Sequence, residues 1–286
     1  MIRKIATTIN PIENPDHKIP VSEIIRRTCD AGFKTLDFNF FAWVRNPTKS
    51  PFVMGDWRKW MQDATETAKL YGAIFDQTHA PIYNQFVYNP FYDDMTERCI
   101  EATAICGAKW MVIHAGYYAH DYRDEDIQKA KEANLRWLDK YVKLADRHNV
   151  GILLENKTDV YCTNIDHLIE LVDAFDSERV KICFDTGHAH VGGYRQKEAL
   201  MAIGDRLRGL HIDDNDGVSD SHLLPREGTI DWQAFIDGLD QIGFNGPLTF
   251  ETSSGVRNVP KEKEDEGLRN MYLCGEWLNS LSRSEK

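Results

Sequence analysis

The sequence predicts an α/β fold, a single (β/α)8 barrel over residues 1–286, on three observations. Short apolar, β-branched runs alternate with longer helical patterns from end to end, in eight pairs. Eight units in 286 residues average about 36 residues each, which suits a closed barrel better than an open doubly wound sheet. Runs such as MVIH, ILLE and KICFD are apolar nearly throughout, as parallel strands covered on both faces must be.

The elements follow in order. Strand one is expected over Ile2 to Asn10, with a helix from Val21 to Ala31 ending at Gly32. Strand two, Lys34 to Phe38, leads through aromatic residues to a helix from Trp57 to Tyr71, closed by Gly72. Strand three, Ala73 to Thr78, precedes a helix from Asp93 to Cys106 and Gly107. Strand four, Trp110 to His114, precedes the helix Glu125 to Asn149, and Gly151 begins strand five, Gly151 to Glu155. The helix Asn164 to Phe175, strand six from Lys181 to Asp185, and the helix Gln196 to Asp205 come next. Strand seven, Gly209 to Asp213, is followed by a helix from Asp231 to Ile242, in which Asp231 caps and Trp232 packs. Gly243, strand eight from Pro247 to Glu251, and the helix Lys263 to Leu281 complete the pattern. The glycines at or near helix-to-strand junctions, Gly32, Gly72, Gly107, Gly151 and Gly243, stand where a left-handed cap is wanted.

Composition narrows the function classes. With 42% hydrophobic and 28% charged residues, the chain is of ordinary globular type, neither disordered nor collagen-like. A formal charge of −11 repels a phosphate backbone and argues against nucleic acid as a partner. The six cysteines form no C-x-x-C pair, and the first residues lack a signal-peptide pattern, so reduced thiols and a cytoplasmic location are expected. No apolar run approaches the roughly 18 residues of a membrane span. No G-x-G-x-x-G or G-x-x-x-x-G-K-[ST] loop follows a strand, which leaves nucleotide binding without a motif.

In a β/α barrel the chemistry sits at the C-terminal ends of the strands. Here strand three ends with His79, strand four with His114, strand five with Glu155, strand six with Asp185 and His188, strand seven with His211 and Asp213, and strand eight with Glu251. Asp220 and His222 follow strand seven. With 45 Asp and Glu and 10 His in 286 residues, about one residue in five is of this kind, so six consecutive strands ending in one is improbable by chance. Glu155, Asp185, His211 and Glu251 make a hard, oxygen-rich set for one divalent ion such as Mn²⁺, Mg²⁺ or Co²⁺. Adding His79, His114, His188, Asp220 and His222 makes a pocket fit for zinc, even a cluster.

Structural roles compete at several positions. Asp185 before Thr186 and Gly187 also fits a turn former or helix cap, and a lone His79 or His114 also fits a core or rim histidine. Glu155 and Glu251 end buried apolar strands, where an unpaired carboxylate costs several kcal/mol, so a functional role is preferred for both. His17, His120, His148, His167 and His190 are read as structural or solvated. Phe38, Phe41, Trp43, Tyr83 and Phe86, with Tyr117 and Tyr118, fall near the barrel mouth, where a ring stacks on a sugar or simply packs.

These motifs resemble the xylose isomerase-like TIM barrel superfamily over essentially the whole chain, including its sugar isomerases and epimerases and the apurinic endonuclease type 2 family. The resemblance to ketose 3-epimerases implies one divalent ion on Glu155, Asp185, His211 and Glu251, with His188 contacting substrate. The resemblance to the endonucleases implies three zinc ions, with His79, His114, His188, Asp220 and His222 as further ligands. H-A-P, H-A-G and D-x-H also resemble segments of many sugar isomerase relatives, so the motif alone does not separate the two chemistries. Two departures bear on substrate: Gly217 stands where the epimerases have a substrate-binding arginine six residues after His211, and PREG replaces PGEG.

The expected activity is isomerisation or epimerisation of a small sugar or sugar derivative through an enediolate, with one ion (Mn, Mg, Co or Zn) as cofactor. Glu155 and Glu251 serve as ligands and as opposed acid and base, while His188, His79, His114, Trp43 and Phe41 contact substrate. The alternatives are a zinc-cluster phosphodiesterase holding three Zn, and a sugar dehydratase or lyase. A homo-oligomer is the default expectation for such a barrel.

Overall fold

A computed structural model describes residues 1–118, 123–158 and 161–282. Eight parallel strands form a nearly closed (β/α)8 barrel: β1 Ile5–Thr8, β2 Thr35–Asn39, β3 Ile74–His79, β4 Trp110–Ile113, β5 Gly151–Glu155, β6 Val180–Asp185, β7 Leu207–His211 and β8 Leu248–Phe250. They follow one another around the sheet in sequence order, and β1 also pairs with β8, its Ala6 opposite Thr249. The last seam, between β7 and β8, is held by a parallel bridge between Ile212 and Phe250. There Ile212 N–H donates to the Thr249 carbonyl at 2.8 Å and Glu251 N–H to the Ile212 carbonyl at 3.0 Å.

The helices are α1 Val21–Asp30, α2 Phe40–Val44, α3 Pro51–Met54, α4 Trp57–Leu70, α5 Pro90–Cys106, α6 Asp124–Arg147, α7 Ile165–Asp173, α8 Thr186–Val191, α9 Gln196–Ile203, α10 Trp232–Gln241, α11 Ser254–Arg257 and α12 Glu264–Leu281. The main hydrophobic core lies between the strands and these helices, with Phe33, Leu36, Phe184, Phe235 and Phe250 fully buried. A smaller cluster of Val112, Leu153 and Cys183 is buried separately.

Capping sets several boundaries. Asn89 accepts from the backbone N–H groups of Phe91 and Tyr92 at 3.1 and 3.4 Å, so α5 starts at Pro90, three residues before the expected Asp93. Asp231 accepts from Ala234 N–H at 3.0 Å, and Trp232 packs with its Nε1 donating to Asp214 Oδ2 at 3.0 Å. Four of the five junction glycines are left-handed: Gly32, Gly72, Gly107 and Gly243, at φ 122, 68, 77 and 68°. Gly151 differs. Asn149 takes the left-handed turn there at φ 59°, and Gly151 is needed because a Cβ would collide with the Trp110 ring on β4.

Strand one is shorter than expected because after Thr8 the chain leaves the ladder as a loop pinned by its own side chains. Asn14 Nδ2 donates to the Ile19 carbonyl at 2.7 Å, and Ile19 N–H donates to Asn14 Oδ1 at 3.0 Å. Strand seven runs two residues earlier than expected, and α2, α3, α8 and α11 are short helices that the sequence pattern did not announce. No helix among the described residues is long and apolar enough to cross a membrane.

Candidate metal centre

Each chemically important side chain reaches the barrel mouth from a strand end. His79 is the last residue of β3 and Glu155 of β5, Asp185 ends β6 and His211 ends β7, while His114 and Glu251 stand one residue past β4 and β8. One ligand atom each from Glu155, Asp185, His211 and Glu251 lies within 4.8 Å of the others. His79, His114 and Glu155 converge as closely, and so do His79, His211 and Glu251. A further group is Asp213, Asp220 and His222. Asp213, at the end of strand seven in the sequence pattern, joins the candidate ligands only through the structure. Its carboxylate is fully buried with neither oxygen hydrogen-bonded, His222 Nδ1 standing 3.8 Å from Oδ2, and a Cβ on Gly187 would collide with it.

The histidines make a consistent pattern. His211 Nε2 lies 3.2 Å from Asp37 Oδ2, while its Nδ1 is 3.0 Å from both Glu155 Oε1 and Glu251 Oε2. His79 Nδ1 meets the Ala80 carbonyl at 2.7 Å, and its Nε2 faces Glu155 Oε2 at 3.1 Å. His188 Nδ1 meets the Asn156 carbonyl at 2.9 Å and its Nε2 faces Asp220 Oδ2 at 3.2 Å. His222 Nδ1 meets the Glu251 carbonyl at 2.8 Å. In each ring one nitrogen is committed to an acceptor-only oxygen and so carries the proton. In the first three the other nitrogen, which presents a lone pair in the neutral ring, faces carboxylate oxygen. That juxtaposition is repulsive unless the ring is protonated or a cation lies between, and it is the outer-shell arrangement that orients histidine ligands. His114 differs, its Nε2 lying 2.8 Å from Glu155 Oε2.

Electrostatics point the same way. Burial opposes charge on Glu155, but the His211 and His114 rings beside it hold its carboxyl well below the usual range. Burial pulls down His79, His188 and His211, yet the surrounding groups more than offset it and all three are raised, His211 by the Cys183 sulfur and then Glu251 and Glu155, the other two by carboxylates. Burial and the Lys157 charge lower His114 to about 3. Asp185 has both roles that the sequence left open. Its Oδ1 accepts from His188 N–H at 2.6 Å, capping α8, while Oδ2 is buried without a partner. Burial pushes its carboxyl up to about 6, and raises Asp213 further with Asp185 as a like-charged neighbour. Buried carboxylates with orphaned oxygens, set among histidines whose second nitrogen faces oxygen, fit a divalent cation by charge and donor type.

Above this cluster opens a cavity of about 750 Å³, lined at its base by His79, His114, Glu155, His188, Glu251 and His222. Asn39 lines it too. Its Nδ2 donates to Glu251 Oε1 at 3.3 Å, and its buried Oδ1 has no partner. Phe41 and Trp43 both line the cavity, but their faces are engaged: the Arg45 guanidinium sits 3.9 Å over Phe41, and His17 stacks on Trp43 at 4.9 Å. His17 was expected to be only structural or solvated; the loop after β1 carries it onto the cavity wall, with Nε2 buried and unpartnered. Phe38 is instead fully buried among Phe40, Trp43, Trp60 and Phe75. Tyr83 stacks on Tyr92, and Phe86 packs on Tyr118. His120 lies outside the described residues.

Sequence reading passed over Asp37 and Gln77. Both sit inside the barrel, and Gln77 Nε2 donates at 2.8 Å to the Asp37 oxygen that faces His211. The signal was a carboxylate within the apolar run TLDFN, where burial on both faces demands a partner.

Residues 87–274 match the family described as xylose isomerase-like TIM barrel. An uncharacterized protein of Methanocaldococcus jannaschii is 30% identical over 198 residues, covering 65% of this chain and 67% of that protein. A probable endonuclease 4 of Methanoculleus marisnigri is 28% identical over 270 residues, covering 84% and 86% of the two chains. Among solved structures, a D-tagatose 3-epimerase-like protein superposes with a TM-score of 0.74 at 21% identity, covering 97% of this chain and 98% of its own.

Proposed function

Because the chain belongs to the xylose isomerase-like TIM barrel family, we propose that it is a divalent-metal-dependent isomerase or epimerase of a small sugar or sugar derivative. The observation that carries this reading is the meeting of Glu155 and Glu251 on His211 Nδ1, each at 3.0 Å, beneath a cavity whose volume of about 750 Å³ suits a small molecule. The likeness to the D-tagatose 3-epimerase-like structure supports it at the level of the fold.

Glu155, Asp185, His211 and Glu251 would hold a divalent ion, which would supply Lewis-acid chemistry toward a substrate carbonyl and its adjoining C–H. The protein's own groups do the rest. Glu155 stays ionised beside the His211 ring and within hydrogen-bond reach of His114, and is available as a base at its Oε atoms. Glu251 approaches from β8, its side chain partly open to the cavity, and is the opposed acid or base. Proton removal on one face and return on the other inverts a carbon; return at a neighbouring atom isomerises. Asn39 Oδ1 and His188, His79 and His114 are placed to meet substrate hydroxyls. Asp37 holds His211 in one tautomer.

The test is exchange of the substrate's carbon-bound hydrogen with solvent deuterium, followed by NMR in metal-loaded protein. Glu155→Gln and Glu251→Gln should each abolish exchange with the fold intact; exchange retained in both removes the carboxylates from the chemistry.

A zinc-cluster phosphodiesterase is the second reading, favoured by the additional groups His79, His114, Glu155 and Asp213, Asp220, His222 and by the endonuclease relative. About three tightly held zinc ions per chain with phosphodiester cleavage would favour it, and about one exchangeable ion with carbon-bound hydrogen exchange favours the isomerase. The net charge of −11 argues against duplex DNA.

A further inference from the structure

Away from the candidate ligands, the charges around the cavity run against those of the chain. The protein carries −11, yet Arg45, Arg257 and Lys157 line the cavity, and among the described residues Glu13 is the carboxylate that faces them outside the ligand groups. Arg45 and Arg257 follow β2 and β8, the two strands that flank β1. They therefore share one side of the mouth, while Lys157 follows β5 on the opposite wall beside His114.

Arg45 is held by stacking on Phe41, and among the described residues no carboxylate lies within ion-pair reach of it. Burial and then the Arg257 charge lower its pKa, so the two like charges feel one another. Arg257 reaches Glu13 at 3.3 Å, but with side chains 45% and 65% exposed the pair is weak and an incoming anion can displace Glu13 from it. Two guanidinium groups on one rim, one of them unpaired, are a planar donor array suited to phosphate or carboxylate.

We propose that Arg45 and Arg257 form an anion subsite at the cavity mouth, and that the substrate sugar carries a phosphate or carboxylate at the end remote from Glu155 and Glu251. This deepens the isomerase reading and rests on it.

The probes are D-fructose, D-fructose 6-phosphate and D-fructuronate, titrated calorimetrically into metal-loaded protein, with inorganic phosphate as competitor. One or both anionic sugars should bind at least about tenfold more tightly than D-fructose, and which one does so identifies the anion. Arg45→Gln and Arg257→Gln should each weaken that binding about 10- to 100-fold, with partial recovery in Arg45→Lys. Equal binding of neutral and anionic sugars overturns the subsite. A preference that survives in both variants also overturns it, because the anion then sits on the metal. Solvent hydrogen exchange on the same sugars separates the two readings. Exchange without an anion preference sinks the subsite alone, and a preference without exchange sinks the isomerase alone.

Discussion

Asp37 shows how one side chain can govern the centre without touching substrate. It is fully buried, its Oδ2 accepts from His211 and Gln77, and it leaves His211 Nδ1 facing Glu155 and Glu251. Asp37→Asn should weaken metal binding about 10- to 100-fold without unfolding the protein, as losses of outer-shell partners generally do. A metal titration with circular dichroism on the same samples checks both halves. Asp185 sets the acid end of the pH dependence. Its carboxyl lies at about 6 in the metal-free protein against a usual 3.8. Between those values the folded state keeps a proton that the unfolded chain has lost, so metal-free stability falls as pH rises through the window. A bound ion needs the carboxylate, so apparent metal affinity should climb with pH across the same window and keep climbing above it, because the ligand His211 is raised as well and must lose its proton to bind. Calorimetric Mn²⁺ titrations at several pH values test this, and a flat profile would remove Asp185 from the ligand set.

At the scale of elements, what was legible followed periodicity and strand ends. The long helices and eight strands announce themselves by apolar spacing, and the polar residue closing each of strands three to eight sits where a barrel displays chemistry. What escaped were units too short for a period. α2 and α8 have five and six residues, and each continues directly from a strand by a local turn. Asp37 and Gln77 escaped because they point into the barrel interior below the mouth rather than closing a strand. The turn Asp185-Thr186-Gly187 explains why the α8 start matters: Thr186 Oγ1 donates to the Asp213 carbonyl at 2.6 Å while Gly187 leaves room for the Asp213 carboxylate. Gly187→Ala should displace Asp213 and lower the affinity of the Asp213, Asp220, His222 group about tenfold or more with secondary structure retained. The cap of α5 is a purely structural control: Asn89→Ala should cost about 1 kcal/mol in denaturant unfolding and leave metal affinity unchanged.

At the scale of the molecule, the barrel gathers Glu155, Asp185 and Asp213 into a buried acidic core, which is costly without a cation. Chelation should therefore lower the melting temperature, and free metal at about a hundred times its Kd should restore about 2.7 kcal/mol. A melting temperature indifferent to chelator and metal would mean the histidines alone neutralise the cluster. The centre itself is tested most directly by anomalous X-ray scattering from crystals of the Mn²⁺-loaded protein. An ion within bonding distance of Glu155, Asp185, His211 and Glu251 together is the predicted result. An empty centre, or an ion held only by other side chains, would contradict it.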